Sequence, residues 1–216
     1  RGNFIVAPAV GIVSAAADGN MSSFNDDMRS STGTSMSTPV GASITAVIQQ
    51  MVQDGWFTED GFVPSGPQLR ALLALSSDSM GGNSAPDAQQ GWGRPNLANL
   101  IDYDSNASEN IWIHDSYMMN ESIRMGMIED WLSENGSRPL EQVISSQWTG
   151  ANAQGPFLAQ GENVSWNLTL VPGEDLDVFI SFNQRPFGAV SDDLDVVVVL
   201  PNGTRIDANE SLEGTE

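Results

Sequence analysis

One stretch of the sequence has the residue types and spacing of a serine nucleophile, Thr32-Gly-Thr-Ser-Met-Ser-Thr-Pro39. It lies where a polar segment gives way to an apolar helical pattern, and a helix N-terminus offers free backbone N–H groups and a positive dipole end. These groups can stabilise an oxyanion beside the Ser35 hydroxyl, and Gly33 lets a substrate approach the backbone closely. The alternative is that Ser35 or Ser37 only caps the helix, which is a common use of serine.

A serine nucleophile also needs a general base, and His114 is the single histidine of the chain. His114 follows Ser35 and lies in an alternating segment, so the sequence favours a strand histidine over a catalytic base. Cysteine is absent, which excludes thiol catalysis and a cysteine-ligated zinc site. The sequence therefore shows a candidate nucleophile without its base.

The elements that would hold Ser35 are a helix and short extended runs. Apolar residues recur at helical spacing beyond Ser37 and predict a helix that is buried on most sides. Upstream, the runs 4–7 and 10–15 are expected to be strand or extended, and the polar stretch 18–32 is expected to be an exposed loop.

Two more helices are predicted downstream. Ser65 and Gln68 form a capping box, and the helix that they begin is expected to end within 76–82. A glycine-rich corner at 91–95 then precedes a third short helix, which is expected over 97–101.

The composition changes after about residue 104, where helical periodicity fades and alternating segments appear. With turns at Pro172-Gly173 and Pro201-Asn-Gly203, these segments predict an antiparallel β-sandwich or jelly roll. Residues 119–160 fit neither pattern and are interpreted as a long insert with one helical turn. The alternating segments are 111–115, 164–170, 176–182 and 194–200.

Three motifs of the first half resemble the subtilisin-like serine peptidases, or subtilases. Gly33-Thr-Ser-Met-Ser-Thr-Pro39 is similar to the Gly-Thr-Ser-Met-Ala-Thr-Pro signature around the family's nucleophile. Val6-Ala-Pro-Ala-Val10 looks like the family's Met/Val-Ala-Pro-Gly-Val segment, and Gly91-Trp-Gly-Arg-Pro-Asn-Leu97 looks like an element near the end of the catalytic domain. Residues 191–196 and 201–204 are similar, more weakly, to strands of the jelly-roll domain appended to some secreted subtilases.

The resemblance implies an endopeptidase that forms an acyl-enzyme on Ser35, whose backbone N–H contributes to the oxyanion hole. Gly33 and Thr34 would belong to the loop that binds the substrate and contributes to the oxyanion hole. The family order is Asp, then His, then Ser, so the other triad residues and the oxyanion-hole Asn are expected upstream of this chain. The chain is thus expected to be a fragment that is inactive alone. Val40-Gly-Ala-Ser43 replaces the family's His-Val-Ala-Gly, a change that concerns helix packing.

The resemblance also implies the fold class. We expect an α/β fragment, the C-terminal part of a subtilisin-like parallel-sheet domain, followed by an incomplete antiparallel β-sandwich. The catalytic portion is expected over residues 1–105 and the jelly-roll-like domain over 106–216, with the insert at about 119–160.

The charge of the chain restricts its partners. Its 28 acidic and 8 basic residues give a formal net charge of −20, which disfavours nucleic acid and an anionic membrane surface. No run approaches the roughly 18 apolar residues of a spanning helix. Protein or peptide substrates and a monomeric state are expected. Asn-x-Ser/Thr sequons, most of them in the second half, favour a secreted, extracellular protein.

The chemistry of Ser35 requires no cofactor. Calcium, as a structural ion, is the one cofactor that the sequence leaves open. Clustered carboxylates near turns offer the oxygen ligands that Ca²⁺ takes, and related domains often bind calcium. No recognised ligand spacing is present, so the sequence favours solvated strand edges over a calcium site. The weak candidates are Asp192, Asp193 and Asp195, with Asp175 and Asp177 nearby.

Other functions share parts of this sequence pattern. A sedolisin-type acid peptidase also carries Ser-Gly-Thr-Ser at its nucleophile, but Met36 and the corner at 91–97 argue against it. An α/β-hydrolase elbow is excluded because Gly33-Thr-Ser-Met-Ser37 lacks the second glycine. A non-catalytic pseudopeptidase, with an adhesion or carbohydrate-binding β half, stays open.

Overall fold

The computed structural model describes residues 3–82, 85–103, 107–108, 111–115, 129, 133, 161–170, 172–173, 175–183 and 194–207. Within these ranges the chain forms two α-helices, one 3₁₀ turn and four two-stranded antiparallel sheets. The helices are α1 (Thr34–Gln53) and α2 (Gly66–Leu75), and the 3₁₀ turn is Leu97–Asn99. The paired strands are β1 (Ile12–Ala15) with β2 (Met28–Ser31), β3 (Ser77–Asp78) with β4 (Arg94–Pro95), β5 (Ile101–Asp102) with β6 (Ala107–Ser108), and β7 (Val197–Val199) with β8 (Arg205–Asp207).

Helix α1 confirms the predicted helical pattern but begins earlier than expected, at Thr34. Gly33 is the N-cap residue, and its φ of 147° lies where glycine is strongly favoured. The Met36 and Ser37 amides both donate to the Gly33 carbonyl, which closes the first turn around the serine motif. Ser35 therefore lies inside the first turn of the helix rather than before it.

The apolar stripe of α1 forms the main core with α2 and the segments that follow. Ile48 and Val52 are fully buried, whereas Val47 lies on the open side of the helix and is 45% exposed. Helix α1 is therefore buried on one face only. The sequence had predicted a helix that is buried on most sides, and that prediction is wrong. The core consists of Ile48, Met51, Val52, Phe57, Phe62, Leu72, Leu73, Leu100, Ile101 and Ile113.

Helix α2 begins and ends where the sequence predicted. The Ser65 hydroxyl accepts a hydrogen bond from the Gln68 amide at 3.2 Å, with Ser65 in an extended conformation at the N-cap. The buried Asp115 carboxylate accepts a hydrogen bond from the Ser65 amide at 2.7 Å. This cap therefore also connects α2 to the segment that carries His114.

The third predicted helix is wrong in type and length. Only Leu97–Asn99 is helical, as a single 3₁₀ turn, and Ile101 belongs to strand β5. Side-chain amides explain the short turn, because Asn99 binds the Ser76 carbonyl and Asp78 at 3.1 and 2.8 Å. These bonds join the turn to Ser76 and to β3, and the chain then continues as strand β5.

The predicted exposed loop 18–32 is wrong at its C-terminal end, because it contains strand β2. Strand β2 pairs with β1 so that Ile12 faces Ser31 and Ser14 faces Arg29. The composition of β2, Met-Arg-Ser-Ser, has no apolar alternation, so its strand state depends on the partner strand.

The described parts of the second half contain little regular structure. Of the four alternating segments, only 194–200 includes a strand, β7, which pairs with β8 across the predicted turn at Pro201-Asn-Gly203. Segments 111–115, 164–170 and 176–182 are described but are not strands. Apart from residues 129 and 133, the insert at 119–160 lies outside the described residues, and the sandwich stays a prediction.

Segment 175–183 contacts the first half of the chain at two places. The Arg70 guanidinium donates hydrogen bonds to the Ser181 hydroxyl, the Phe182 carbonyl and the Asn183 side chain, at 3.1–3.2 Å. The Phe179 ring meets Trp92 edge to face, with 4.8 Å between ring centroids. Arg70 and Trp92 therefore attach this part of the second half to α2 and the glycine-rich corner.

The glycine-rich corner packs directly on the N-terminal segment. The Trp92 amide donates to the Phe4 carbonyl at 2.8 Å, and the Val6 amide donates to the Gly93 carbonyl at 2.9 Å. At Gly91, a Cβ atom would lie 2.3 Å from the Phe4 carbonyl oxygen, and φ is +58°. Both the contact and the backbone conformation require glycine at this position.

Replacing Gly91 with alanine should therefore cost more stability than the same change at Gly81. Both glycines have positive φ, but nothing lies within 4 Å of a Cβ built at Gly81. The shared left-handed backbone costs about 1–2 kcal/mol in each variant, and overpacking against Phe4 adds about 1–3 kcal/mol for Gly91→Ala alone. Urea unfolding followed by tryptophan fluorescence measures the difference, and equal losses would contradict the packing of this corner.

Candidate active site

Ser35 is an exposed residue in the first turn of α1. The first four amides of a helix lack partners within the helix, and here Met36 and Ser37 use the Gly33 carbonyl. In the part of the chain that the structure describes, the Thr34 and Ser35 amides have no hydrogen-bond partner. Two backbone donors and the positive end of the helix dipole therefore lie beside the Ser35 hydroxyl.

A segment without regular secondary structure, residues 7–11, holds the N-terminus of α1 in place. The Ser37 hydroxyl donates to the Ala7 carbonyl at 3.0 Å, and the Gly33 amide donates to the Ala9 carbonyl at 2.9 Å. The Gly11 amide donates to the Thr32 hydroxyl at 3.0 Å. Ser37 thus binds the upstream segment and does not cap the helix. Gly33, which has no side chain, is the N-cap residue.

The three motifs that resemble subtilases are in contact with one another. The segment 3–9 lies between the glycine-rich corner, which it meets at Phe4 and Val6, and the N-terminus of α1. The side chain of Ile5 packs over Gly41 on α1, where a Cβ would be 3.3 Å from Ile5 Cδ1. Segment 3–9 therefore connects the glycine-rich corner with the helix turn that contains Ser35.

A cleft of about 370 Å³ lies between the β1–β2 hairpin and Met36, the residue after Ser35. One face of the hairpin lines it with two facing pairs, Ile12 with Ser31 and Ser14 with Arg29. Ala15, Ala16 and Ala17 complete the lining. The cleft is open to solvent, and the sequence did not predict it, because the strand state of β2 depends on its pairing with β1.

His114 is not placed as a base for Ser35 in this structure. Its ring contacts two tryptophans, Trp112 at 6.0 Å and Trp166 at 4.6 Å between centroids, and the Trp112 ring is nearly parallel to it. No hydrogen bond joins His114 to Ser35 in the described ranges. Burial lowers the pKa of His114, and the neighbouring Asp115 carboxylate raises it in part.

The calcium candidates are only partly covered by the structure. Asp195 is exposed one residue after Leu194, while Asp192 and Asp193 lie outside the described residues. Asp175 and Asp177 are also exposed. Among the residues described, no group of three or more acidic, histidine or cysteine side chains could hold a metal ion.

An exposed serine hydroxyl beside unpaired amides at a helix N-terminus, next to an open cleft, offers a nucleophilic oxygen with oxyanion donors near it. Residues 3–93 match the model of the Subtilase family, a match that includes Gly33, Thr34 and Ser35, both helices and the start of the glycine-rich corner. This match supports the predicted subtilase family and a serine peptidase function. No curated protein and no solved structure matches the chain.

Neither described helix combines the length and apolar character needed to cross a bilayer. Peptide substrates are consistent with the peptidase family that residues 3–93 match.

The lowered pKa of His114 has a consequence for stability. The unfolded chain takes up a proton near the ordinary value of 6.5, before the folded chain does, so the free energy of unfolding should decrease as pH falls below 6.5. Because the chain has one histidine, its Cε1–H resonance can be followed directly by NMR. We expect a midpoint below 6.5 in the folded protein, and a midpoint at or above 6.5 would contradict the buried, tryptophan-flanked position.

Proposed function

We propose that this chain is the nucleophile-bearing part of a secreted serine endopeptidase of the subtilase type. The observation that carries the proposal is the exposed Ser35 hydroxyl in the first turn of α1, with the Thr34 and Ser35 amides unpaired beside it. A serine that only capped the helix would use its hydroxyl on a backbone amide of the same turn. Ser35 makes no such bond in the described structure, and the cap position belongs to Gly33.

The proposed reaction is acyl transfer. The Ser35 Oγ attacks the scissile carbonyl carbon while its proton passes to a histidine, and the Ser35 amide donates to the oxyanion that forms. Collapse of the tetrahedral adduct breaks the C–N bond, and the histidine gives its proton to the leaving amine. Water then attacks the ester on Ser35, and the same histidine accepts and returns a proton to release the acid.

The histidine and aspartate of this triad lie outside these 216 residues in our proposal. His114 is the single histidine, and its ring packs against Trp112 and Trp166. In the family order both partners precede the serine. The oxyanion-hole Asn is expected from the same upstream part of the peptidase.

Secretion and a jelly-roll-like domain over 106–216 belong to the same proposal. Several sequons support an extracellular location, and those at Asn20 and Asn202 lie on exposed turns. The hairpin of β7 and β8, with its turn at Pro201-Asn-Gly203, supports a β domain in the second half. The Arg70 contacts to 181–183 would attach this domain to the catalytic portion.

Replacing Ser35 with alanine tests the nucleophile in the peptidase that carries all three triad residues. Loss of the triad serine should lower kcat by several orders of magnitude, about a millionfold where this has been measured in subtilisin. Ser43→Ala is the matched control, because Ser43 is an exposed serine on the same helix that bonds only the Pro39 carbonyl. Hydrolysis of a fluorogenic peptide measures both variants.

The same assay tests whether the base is missing here. The 216-residue chain alone should hydrolyse no peptide, because its single histidine, His114, makes no hydrogen bond to Ser35 in the described residues. Serine-dependent turnover by this chain would place a base within it and refute that part of the proposal. Full activity of the Ser35→Ala peptidase would refute Ser35 as the nucleophile.

A further inference from the structure

The cleft between the β1–β2 hairpin and Met36, the residue after Ser35, contains one charged side chain, Arg29, within an otherwise uncharged lining. Arg29 is exposed on strand β2, directly opposite Ser14 on β1. Met36 forms the wall of the cleft next to the nucleophile. A side chain of the bound peptide that enters this cleft would therefore meet both apolar surface and a guanidinium.

No internal partner neutralises Arg29 in the described structure. It has no ion pair or hydrogen bond to another side chain there. The nearby carboxylates of the hairpin loop, Asp26 and Asp27, do not line the cleft. An unpaired arginine is unusual in a chain with 28 acidic residues against 8 basic ones, because carboxylate partners are abundant.

We propose that Arg29 is a specificity-determining residue, which selects substrates with an acidic side chain next to the scissile bond. The inference rests on the proposed function and names the substrate class of the same site. The carboxylate of a glutamate or aspartate would pair with the guanidinium, which presents a planar fork of donors. The same guanidinium repels a lysine or arginine side chain at that position.

The lining favours glutamate over a purely polar group. The Met36 side chain and Ile12 offer apolar contact to the methylene groups of a glutamate, while Ser14 and Ser31 add hydroxyls around the charged end. The volume of about 370 Å³ accommodates a whole side chain. Because the cleft is open to water, the ion pair should change kcat/KM by about fivefold at most, the upper range for an exposed pair.

Paired peptides that differ only by Glu or Gln test the inference in the peptidase with a complete triad. The two residues are exchanged at each position flanking the scissile bond, and kcat/KM is measured for each peptide. We expect a Glu preference of about threefold to fivefold at one position or two adjacent positions, which falls as salt is added. A Glu/Gln ratio of one at every position, or a ratio unchanged by salt, would overturn the inference.

Variants of Arg29 identify the residue responsible. Arg29→Gln should abolish the Glu preference, Arg29→Lys should retain most of it, and Arg29→Glu should reverse it in favour of Lys over Glu. Arg205→Gln is the matched control, because it removes an equal charge from an exposed arginine that does not line the cleft. A ratio that changes equally in Arg29→Gln and Arg205→Gln would overturn a local role for Arg29.

The outcome separates this inference from the proposed function. Ser35-dependent hydrolysis without a Glu preference refutes the role of Arg29 and leaves the peptidase function standing. Hydrolysis that survives Ser35→Ala, or no hydrolysis of any peptide, refutes the proposed function and the inference together. The wild-type Glu/Gln ratio and its salt dependence need no variant, so the test does not depend on the folding of a mutant.

Discussion

The N-terminus of α1 depends on two hydrogen bonds to one upstream segment, from the Gly33 amide to Ala9 and from the Ser37 hydroxyl to Ala7. The same segment meets the glycine-rich corner through the backbone of Phe4 and Val6. Pro8 has no N–H, so it leaves no unpaired donor between the carbonyls of residues 7 and 9. This segment therefore connects the glycine-rich corner with the N-terminus of α1.

The position of Ser35 follows from that arrangement. The cap residue of α1 is a glycine, so no side chain competes for the amides of the first turn. The two unpaired amides cost stability in the free protein if water does not reach them, but Ser35 is exposed and water can. An oxyanion would replace that water with a charge that the helix dipole also favours. A helix end with a side-chain cap could not offer the same donors.

Electrostatics around the site differ from those of the chain as a whole. A surface with a net charge of −20 repels acidic peptides at long range, although salt screens this repulsion beyond about 10 Å. In the specificity that we propose, Arg29 acts at short range on a substrate side chain in the cleft that it lines. One local cation would then oppose the effect of the overall charge at this place.

The sequence by itself determined the features that depend on neighbouring residues: the cap of α2 by Ser65 and Gln68, the helix after the serine motif, and the subtilase-like segment that includes Ser35. Only the tertiary structure decided the pairing of β2, the cleft with Arg29, the short 3₁₀ turn after the corner and the contacts of Arg70 with 181–183. A cap or a helical stripe is formed within a few residues, so its signal is local. A strand without apolar alternation, or an arginine that bonds residues more than a hundred positions away, is decided by partners that the local pattern does not identify.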